Sequence, residues 1–132
     1  VRRGHPMSRG RLRLAKLLEY PHVTVTAHGT TDAIVGRAFR DQGHARTVAV
    51  TVPMFASAVA LAAETDLVAI VPERIATWLA PRFDLRLHEP PLDIPGYTLS
   101  LCWHLRTEHD PAHRYLRERV LEVTRAGHRR RR

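Results

Sequence analysis

The sequence predicts a three-layer α/β domain with a largely parallel sheet, and three observations support this fold class. Strand and helix patterns alternate along most of the 132 residues, which is typical of helices packed on a parallel sheet. Residues 46–72 show a strand, a helix and a second strand pattern, most economically a right-handed βαβ unit. The second of these strands, 67–71, is continuously apolar, as expected of a strand covered on both faces.

The first part of the chain predicts two helices around one strand. Residues 12–20 place three leucines on one helical face and end at Pro21, which cannot continue a helix. The alternating, β-branched run at 22–26 predicts a strand. A helix over 30–43 follows, because a threonine can cap its start and Gly43 suits its end.

The central βαβ unit can be divided further. Residues 47–51 combine β-branched residues with alanine and predict a strand. Pro53 ends this strand and suits the first turn of an alanine-rich helix over 54–64. Asp66 marks the turn into the apolar strand 67–71. The start of the helix therefore follows the carboxyl end of a strand.

The second half of the chain predicts shorter elements. Residues 73–79 form a short helix and 85–88 a brief strand. Residues 89–96 contain three prolines and a glycine and form a loop or an edge segment. Alternating apolar positions over 97–105 predict the last strand.

The final predicted helix has clear start and stop signals. Asp110 suits the N-cap and Pro111 the first helical position. The helix is expected to end near residue 125, before Gly127. Its buried face is expected to carry Leu116, Val120 and Val123.

The net charge of +8 is concentrated at the two ends of the chain. Five arginines fall within residues 1–13 and four close the chain, and the remaining basic residues nearly equal the acidic ones. We therefore divide the chain into an irregular basic lead-in (1–13), one domain (14–126) and an arginine-rich tail (127–132). The terminal arginines are either solvated or in contact with phosphate or an acidic partner.

Cysteine usage and hydropathy predict the compartment. The single cysteine cannot form an internal disulfide, which is usual in a reducing cytoplasm. No stretch reaches the roughly 20 apolar residues that a membrane span needs. We expect a cytoplasmic protein without membrane association.

Two loops at the carboxyl ends of predicted strands are chemically distinctive, and α/β sheets bind ligands at such ends. One loop offers hydroxyls, an imidazole and backbone N–H groups at a helix start, which attract carboxylates or phosphates. The other offers a proline, a thioether and an aromatic ring, which suit an apolar body. Both are expected to open onto one hollow. The six candidate effector-binding residues are Thr26, His28, Thr30, Pro53, Met54 and Phe55. Alternatively, Met54 and Phe55 are core residues and Thr30 only caps a helix.

Patterns for catalysis or metal binding are poor, so we expect no enzyme activity, no metal and no cofactor. There is no Gly-x-Ser-x-Gly elbow and no phosphate-binding glycine loop. His104, His109 and His113 are close in sequence, but no carboxylate or thiolate completes a known ligand spacing. Cys102 alternates within an apolar strand and is expected to be an inert core residue. Trp103 either lines a cleft or covers the core.

Several segments keep a family's order and spacing over residues 4–120. They are residues 4–7 (GHPM), 11–15 (RLRLA), 22–26 (HVTVT) with 28–29, 51–55 (TVPMF), 65–69 (TDLVA) with 71–72, 99–104 (LSLCWH) and 110–114 (DPAHR). Together they resemble the C-terminal part of the effector-binding domain of LysR-type transcriptional regulators, near the nodulation-regulator-like branch.

This resemblance implies a type 2 periplasmic-binding-protein-like fold, with two lobes and a cleft between them. The chain would hold most of the second lobe, a return strand near 97–105 and a C-terminal helix that packs on the first lobe. The family's winged helix-turn-helix, its linker helix and part of its first lobe have no counterpart, so we expect an N-terminally truncated piece, which Val1 in place of methionine also fits. In such a piece Leu116, Val120 and Val123 would lack part of their packing partner, and this apolar patch would promote association.

The resemblance also implies the partners. They are a small-molecule effector, aromatic or carboxylate, a second copy in a homo-oligomer, and DNA only through the missing N-terminal domain. The alternative function is a stand-alone solute-binding or protein-interaction module whose arginine-rich tail docks an acidic partner.

Overall fold

The computed structural model describes residues 1–26, 34–96 and 98–129, with side chains as far as residue 125. The chain divides into two compact units, Val1–Pro95 and Gly96–Arg132. In chain order the elements are α1 (Leu14–Leu18), β1 (His22–Val25), α2 (Val35–Asp41), β2 (Val48–Val52), α3 (Phe55–Glu64), β3 (Val68–Ala69), α4 (Glu73–Leu79), a 3-10 turn (Leu105–Thr107) and α5 (Pro111–Arg129).

The first unit is built on a three-stranded parallel sheet in the order β2-β1-β3. Val25 of β1 lies opposite Val52 of β2, and Val23 lies opposite Ala69 of β3. Parallel strands need long crossover connections, and α3 supplies the connection that carries the chain from β2 past β1 to β3. The predicted α/β class with a parallel sheet is confirmed.

The core of the first unit lies on both faces of β1. On one face Phe39, Leu17, Val68 and Met7 form a buried cluster. Strand side chains alternate between faces, so Val23, which is buried, points to the opposite face from its neighbour in the strand. Helix α3 packs on the sheet through its three buried residues Ala58, Val59 and Ala62. The central strand is therefore covered on both sides.

The basic lead-in is packed, although most of it is irregular. His5 and Met7 are buried, at 1% and 3% exposure. Residues 1–3 run beside 84–86, where Arg2 forms an antiparallel bridge with Leu85. The prediction of a strand over 85–88 is therefore wrong, because this single bridge is the only strand pairing that the described residues make there. The predicted boundaries at 13/14 and 126/127 stay predictions.

The predicted strand over 97–105 is wrong for the part that the structure describes, which excludes Tyr97. Residues 98–104 join no sheet among the described residues, and Leu105 begins a 3-10 turn. Leu99 is 84% exposed. Alternation in sequence can mark a strand only if another strand supplies its hydrogen bonds, and within the described residues none does.

Helix α5 begins as predicted and ends later. The carboxylate of Asp110 accepts a hydrogen bond from the His113 backbone N–H at 2.9 Å. The helix then continues through Gly127 to Arg129, because one glycine costs a helix interior only about 1 kcal/mol. The face expected to be buried is exposed: Leu116 is 60% and Val123 72% accessible. Residues 130–132 of the predicted tail lie outside the described part.

Candidate functional site

The two candidate loops leave neighbouring strands at the same edge of the sheet. The backbone N–H of Thr26 donates to the carbonyl oxygen of Val52 at 3.0 Å, which continues the register that pairs Val25 with Val52. Thr26 is half-buried, and Pro53 on the adjoining strand end is exposed. The parallel pairing of β1 and β2 therefore brings the first residues of both loops side by side.

The loop after β2 becomes a helix one residue later than expected. Met54 is the N-cap of α3, with φ −133° and ψ 143°, and Phe55 is the first helical residue. Pro53 therefore precedes the cap and does not occupy the first turn. A thioether is a weak acceptor, and the Met54 side chain makes no capping hydrogen bond within the described part of the chain.

The side chains at this helix start are open to solvent to different degrees. Met54 is 60% exposed and Phe55 is half-buried, so neither is a fully buried core residue. The first N–H groups of a helix have no partner within the helix. The edge thus combines backbone donors that the Met54 side chain does not cap with an accessible thioether and part of an aromatic ring.

Two of the six candidate residues, His28 and Thr30, lie outside the described residues. The structure brings together Thr26 and Pro53 through the strand pairing, and Met54 and Phe55 follow directly along the chain. Whether the two loops share one hollow stays a prediction.

A depression with a volume of about 490 Å³ lies elsewhere in the first unit, between α2 and the segment before Pro95. Its lining residues are Ile34, Arg37, Ala38, Asp41, Gln42, Asp93 and Pro95. The Gln42 side chain holds the segment, since its Nε2 donates to the Asp93 carbonyl oxygen at 2.8 Å. None of the six candidate residues lines it. The sequence did not reveal this depression, because apolar residues four apart, such as Ile34 and Ala38, are equally typical of a helix face that packs in the core.

Two titratable groups, one buried and one half-buried, lie near the other end of β1. His22 is fully buried, and burial, together with the charge of Arg46, lowers its pKa to about 4. Burial also lowers the pKa of Arg46 to about 10, so its guanidinium remains charged at neutral pH. Arg46 lies over the Phe39 ring at 5.4 Å and donates to the Thr24 hydroxyl at 3.2 Å. These contacts of His22 and Arg46 lie at the amino end of β1, opposite to the end at which the candidate loops begin.

The second unit contains an ordered tryptophan. The Trp103 indole N–H donates to the carboxylate of Glu108, and the Arg117 guanidinium lies 4.8 Å from the ring centre. Arg117 also donates to the carbonyl oxygens of Thr107 and Glu108, at 3.0 and 2.8 Å. Trp103 is therefore fixed between the 3-10 turn and α5.

Cysteine and histidine chemistry adds no site among the described residues. Cys102 is exposed, which corrects the expectation of a core residue. The Nδ1 atom of His104 accepts from the Arg106 backbone N–H at 3.1 Å, so this imidazole caps a turn. Across residues 1–26, 34–96 and 98–125, no three metal-ligating side chains lie together.

Comparison with known families identifies the domain. The family model described as the LysR substrate binding domain matches residues 1–125. The chain belongs to the LysR substrate-binding domain family. The predicted family is confirmed, and the LysR match covers nearly the whole sequence.

Relatives of this LysR domain are regulators of greater length. The transcriptional activator NagR of a Ralstonia species is 31% identical over 126 residues, which cover 92% of this chain and 40% of NagR. The transcriptional regulator SyrM of Rhizobium etli is 41% identical over 71 residues, 54% of this chain and 21% of SyrM. The chain thus spans well under half the length of these regulators.

Solved structures agree with the LysR assignment. A transcriptional regulator from Vibrio parahaemolyticus superposes with a TM-score of 0.84 at 25% identity, covering 99% of this chain and 60% of that chain. The regulatory domain of MexT from Pseudomonas aeruginosa gives a TM-score of 0.74 at 33% identity, covering 85% of this chain and 56% of that chain. Among the described residues of this LysR domain, no helix is long and apolar enough to span a bilayer.

Proposed function

We propose that this chain is the effector-sensing portion of a LysR-type transcriptional regulator, and that it binds a small molecule at the carboxyl edge of its sheet. The observation that carries the proposal is the hydrogen bond from the Thr26 N–H to the Val52 carbonyl oxygen. This bond supports a site shared by the loops after β1 and β2, because both loops begin at the same edge. The proposed site comprises Thr26, His28, Thr30, Pro53, Met54 and Phe55.

The chemistry of the edge favours a ligand with an aromatic or apolar body and a carboxylate or carbonyl end. The N-terminus of α3 presents backbone donors that the Met54 side chain does not cap, and such termini favour negative charge. Met54 and Phe55 supply polarizable and aromatic surface beside these donors. A monocyclic aromatic carboxylate would engage both features at once.

Regulation follows from a difference in affinity. A ligand can shift an equilibrium between two conformations only by as much as it prefers one of them. Within a parent regulator, a ligand that favours one arrangement of the effector domain would shift the geometry of a homo-oligomer in the cytoplasm. DNA binding belongs to the helix-turn-helix part of the parent. The support for this part is that NagR and SyrM are both named HTH-type regulators of transcription.

A thermal-shift experiment tests the proposed site. The chain is titrated with benzoate and with benzyl alcohol, which has the same ring without the charge. We expect benzoate to raise the melting temperature more, and Met54→Ala and Phe55→Ala to reduce that rise. Leu99→Ala, which truncates an exposed apolar side chain in the other unit, is the matched control. An equal response of all three variants and the wild type would exclude this edge as the site.

A further inference from the structure

A buried histidine fastens the first eight residues to the body of the first unit. His5 is 1% exposed. Its Nδ1 lies 2.9 Å from the backbone nitrogen of Met7, and its Nε2 lies 3.1 Å from the carbonyl oxygen of Asp66. A backbone N–H can only donate and a carbonyl oxygen can only accept. Both contacts are therefore satisfied only by the neutral imidazole that carries its proton on Nε2.

The rest of the segment is held through backbone and charged contacts. The N–H of Arg3 donates to the Asp84 carbonyl oxygen at 3.2 Å, and the N–H of Arg86 donates to the Val1 carbonyl oxygen at 2.9 Å. The Arg2 guanidinium lies 2.7 Å from the Asp66 carboxylate. The Arg2–Asp66 pair is partly open to solvent, and exposed ion pairs contribute little. Met7 packs into the buried cluster, and the buried imidazole of His5 is the titratable attachment of residues 1–8.

A second histidine lies two residues after Arg86, on the chain segment that runs beside residues 1–3. His88 is half-buried, and its buried Nε2 has no hydrogen-bond partner among the described residues. Burial lowers its pKa, and the positive charges of the Val1 amino group, of Arg86 and of His5 lower it further. A proton on His5 is thus unfavourable for His88, and the two imidazoles disfavour each other's charged forms.

We propose that residues 1–8 form a proton-sensitive latch, which is docked on the first unit while His5 is uncharged and is released when His5 becomes protonated. This goes beyond effector binding, because it assigns the fold a response to acidity at a place other than the candidate loops. The latch responds to one proton, which binds at Nδ1 of His5.

Some of the groups that face His5 favour its charged form, and others oppose it. The Asp66 carboxylate lies 3.9 Å from its Nε2 and favours the charged ring, as does the Asp66 carbonyl oxygen. Arg2 and the Val1 amino group oppose the charge, and burial opposes it most, so the pKa of His5 is lowered overall. The edge-to-face Tyr20 ring, 4.5 Å away between centroids, is uncharged.

The tautomer of His5 determines whether acid favours the docked or the released state. Protonation places a hydrogen on Nδ1, where it meets the hydrogen of the Met7 N–H. Because His5 has a lower pKa in the docked state than in the released state, the docked state binds fewer protons. Docking is therefore complete above the ordinary histidine pKa of about 6.5 and weakens as the pH falls below it.

Hydrogen–deuterium exchange of the whole chain at pH 7.0 and pH 5.5, corrected for intrinsic exchange rates, tests the latch. We expect protection of the amides of Met7, Ser8 and Arg86 to fall several-fold, up to about eightfold if His5 alone titrates. The amides of β1 should stay better protected than those of the segment at both pH values, although the titration of His22 lowers their protection as well. Unchanged protection in the segment would overturn the latch. Protection of the segment equal to that of β1 at both pH values would mean that the segment opens only with the whole fold, and would overturn it too.

Two variants separate titration from packing. In His5→Asn the side-chain oxygen can still accept from the Met7 N–H but cannot titrate, so the pH dependence should flatten. His109→Gln removes an exposed histidine from the other unit and should leave the wild-type response. A His5→Asn chain with the full pH dependence would contradict the proposal.

Direct titration of His5 in the wild type by its ring carbon NMR signal covers the case in which His5→Asn fails to dock. The expected midpoint lies below about 6.5, in the same pH range as the loss of amide protection. A midpoint at or above that value would overturn the proposal.

Discussion

At the scale of single residues, the buried polar side chains of β1 distinguish this strand from a surface strand. The alternation of histidine and threonine with valine over 22–26 is typical of a strand with one solvated face. His22 and Thr24 are nevertheless buried, because α1 and α2 cover that face. His22 Nε2 donates to the Leu17 carbonyl oxygen at 3.2 Å and Thr24 accepts from Arg46, which offsets the cost of burying polar groups.

The buried His22 predicts an acid-sensitive stability. Its pKa is lowered to about 4 in the folded chain, while an unfolded histidine titrates near 6.5. The unfolded state therefore binds more protons between these values, and stability falls as the pH drops from about 6.5 to about 4. A shift of this size corresponds to a loss of at most about 3 kcal/mol.

Urea unfolding at pH 7.0, 6.0, 5.0 and 4.5 measures this dependence. His22→Gln keeps a donor for the Leu17 carbonyl oxygen and removes the titration, so its stability should vary less with pH than that of the wild type. His113→Gln, on the exposed side of α5, serves as the control. Parallel pH profiles for wild type and His22→Gln would refute this role.

At the scale of elements, the starts of α4 and α5 were predicted correctly, and only that of α5 has a side-chain cap. Helix α4 spans Glu73–Leu79 as predicted, and Asp110 caps α5 through the His113 N–H, a bond that also lowers the pKa of the Asp110 carboxyl. The start of α3 was misplaced by one residue, since proline is common both inside and just before a first turn. A side-chain cap such as Asp110 fixes a helix start, whereas α4 starts at the predicted residue without one.

The poor cap of α3 predicts a stabilising substitution. Met54→Asp would place a carboxylate where it can accept from the N–H groups of the first turn, and good N-caps are worth about 1 kcal/mol. We expect a higher urea midpoint for Met54→Asp and none of this gain for Met54→Ala. The same carboxylate would compete with an anionic ligand, so the benzoate response should also disappear. No gain in stability would contradict the assignment of Met54 as the cap.

The contacts of Arg117 predict a destabilising substitution in the second unit. Arg117→Lys keeps the charge, but a lysine cannot donate to the carbonyl oxygens of Thr107 and Glu108 and stack on Trp103 at the same time. We therefore expect the free energy of unfolding to fall by about 1 kcal/mol. Trp103 fluorescence during urea unfolding, in a Trp78→Phe background, reports on this unit. Arg114→Lys, exposed on the same helix, should have no effect, and an equal effect of both substitutions would remove the special role of Arg117.

At the scale of the whole molecule, the described part of the fold leaves an apolar face of α5 uncovered. Leu116, Val120 and Val123 lie on one side of the helix and are all exposed. Exposed apolar patches of this kind promote association. In a LysR regulator of full length, we propose that the remainder of the effector domain covers this face.

This uncovered face predicts that the chain alone associates with itself in solution. Val123→Glu should shift the sedimentation-equilibrium mass toward the monomer. Arg114→Gln changes the charge by the same amount on the opposite side of the helix, nine residues away at 100° per residue, and should not. A wild-type chain that is monomeric at high concentration would count against an uncovered docking face.

The sequence was sufficient for those parts of the molecule that local chemistry determines. Parallel strands and most helices followed from alternation, alanine content and caps, and the family followed from short ordered segments. The strand expected at 97–105 and the burial of Cys102 failed because each depends on a partner surface that the sequence pattern does not specify. The exposure of Val123 agrees with a truncated piece that lacks part of its packing partner. The attachment of His5 to Asp66 was invisible for the same reason, since it joins residues far apart in the chain.

The arrangement of the sheet has a further consequence for how the chain folds. Every strand partner of β1 comes from a distant part of the sequence, with His22 opposite both Val48 and Val68. No two neighbouring strands of this sheet are joined by a hairpin, so one large loop must close before the first inter-strand hydrogen bond is made and a second before the sheet is complete. Chains dominated by such distant contacts fold slowly. Refolding should therefore pass through a lag in which helices are present and the sheet is not, the period when newly made chains most need protection from aggregation.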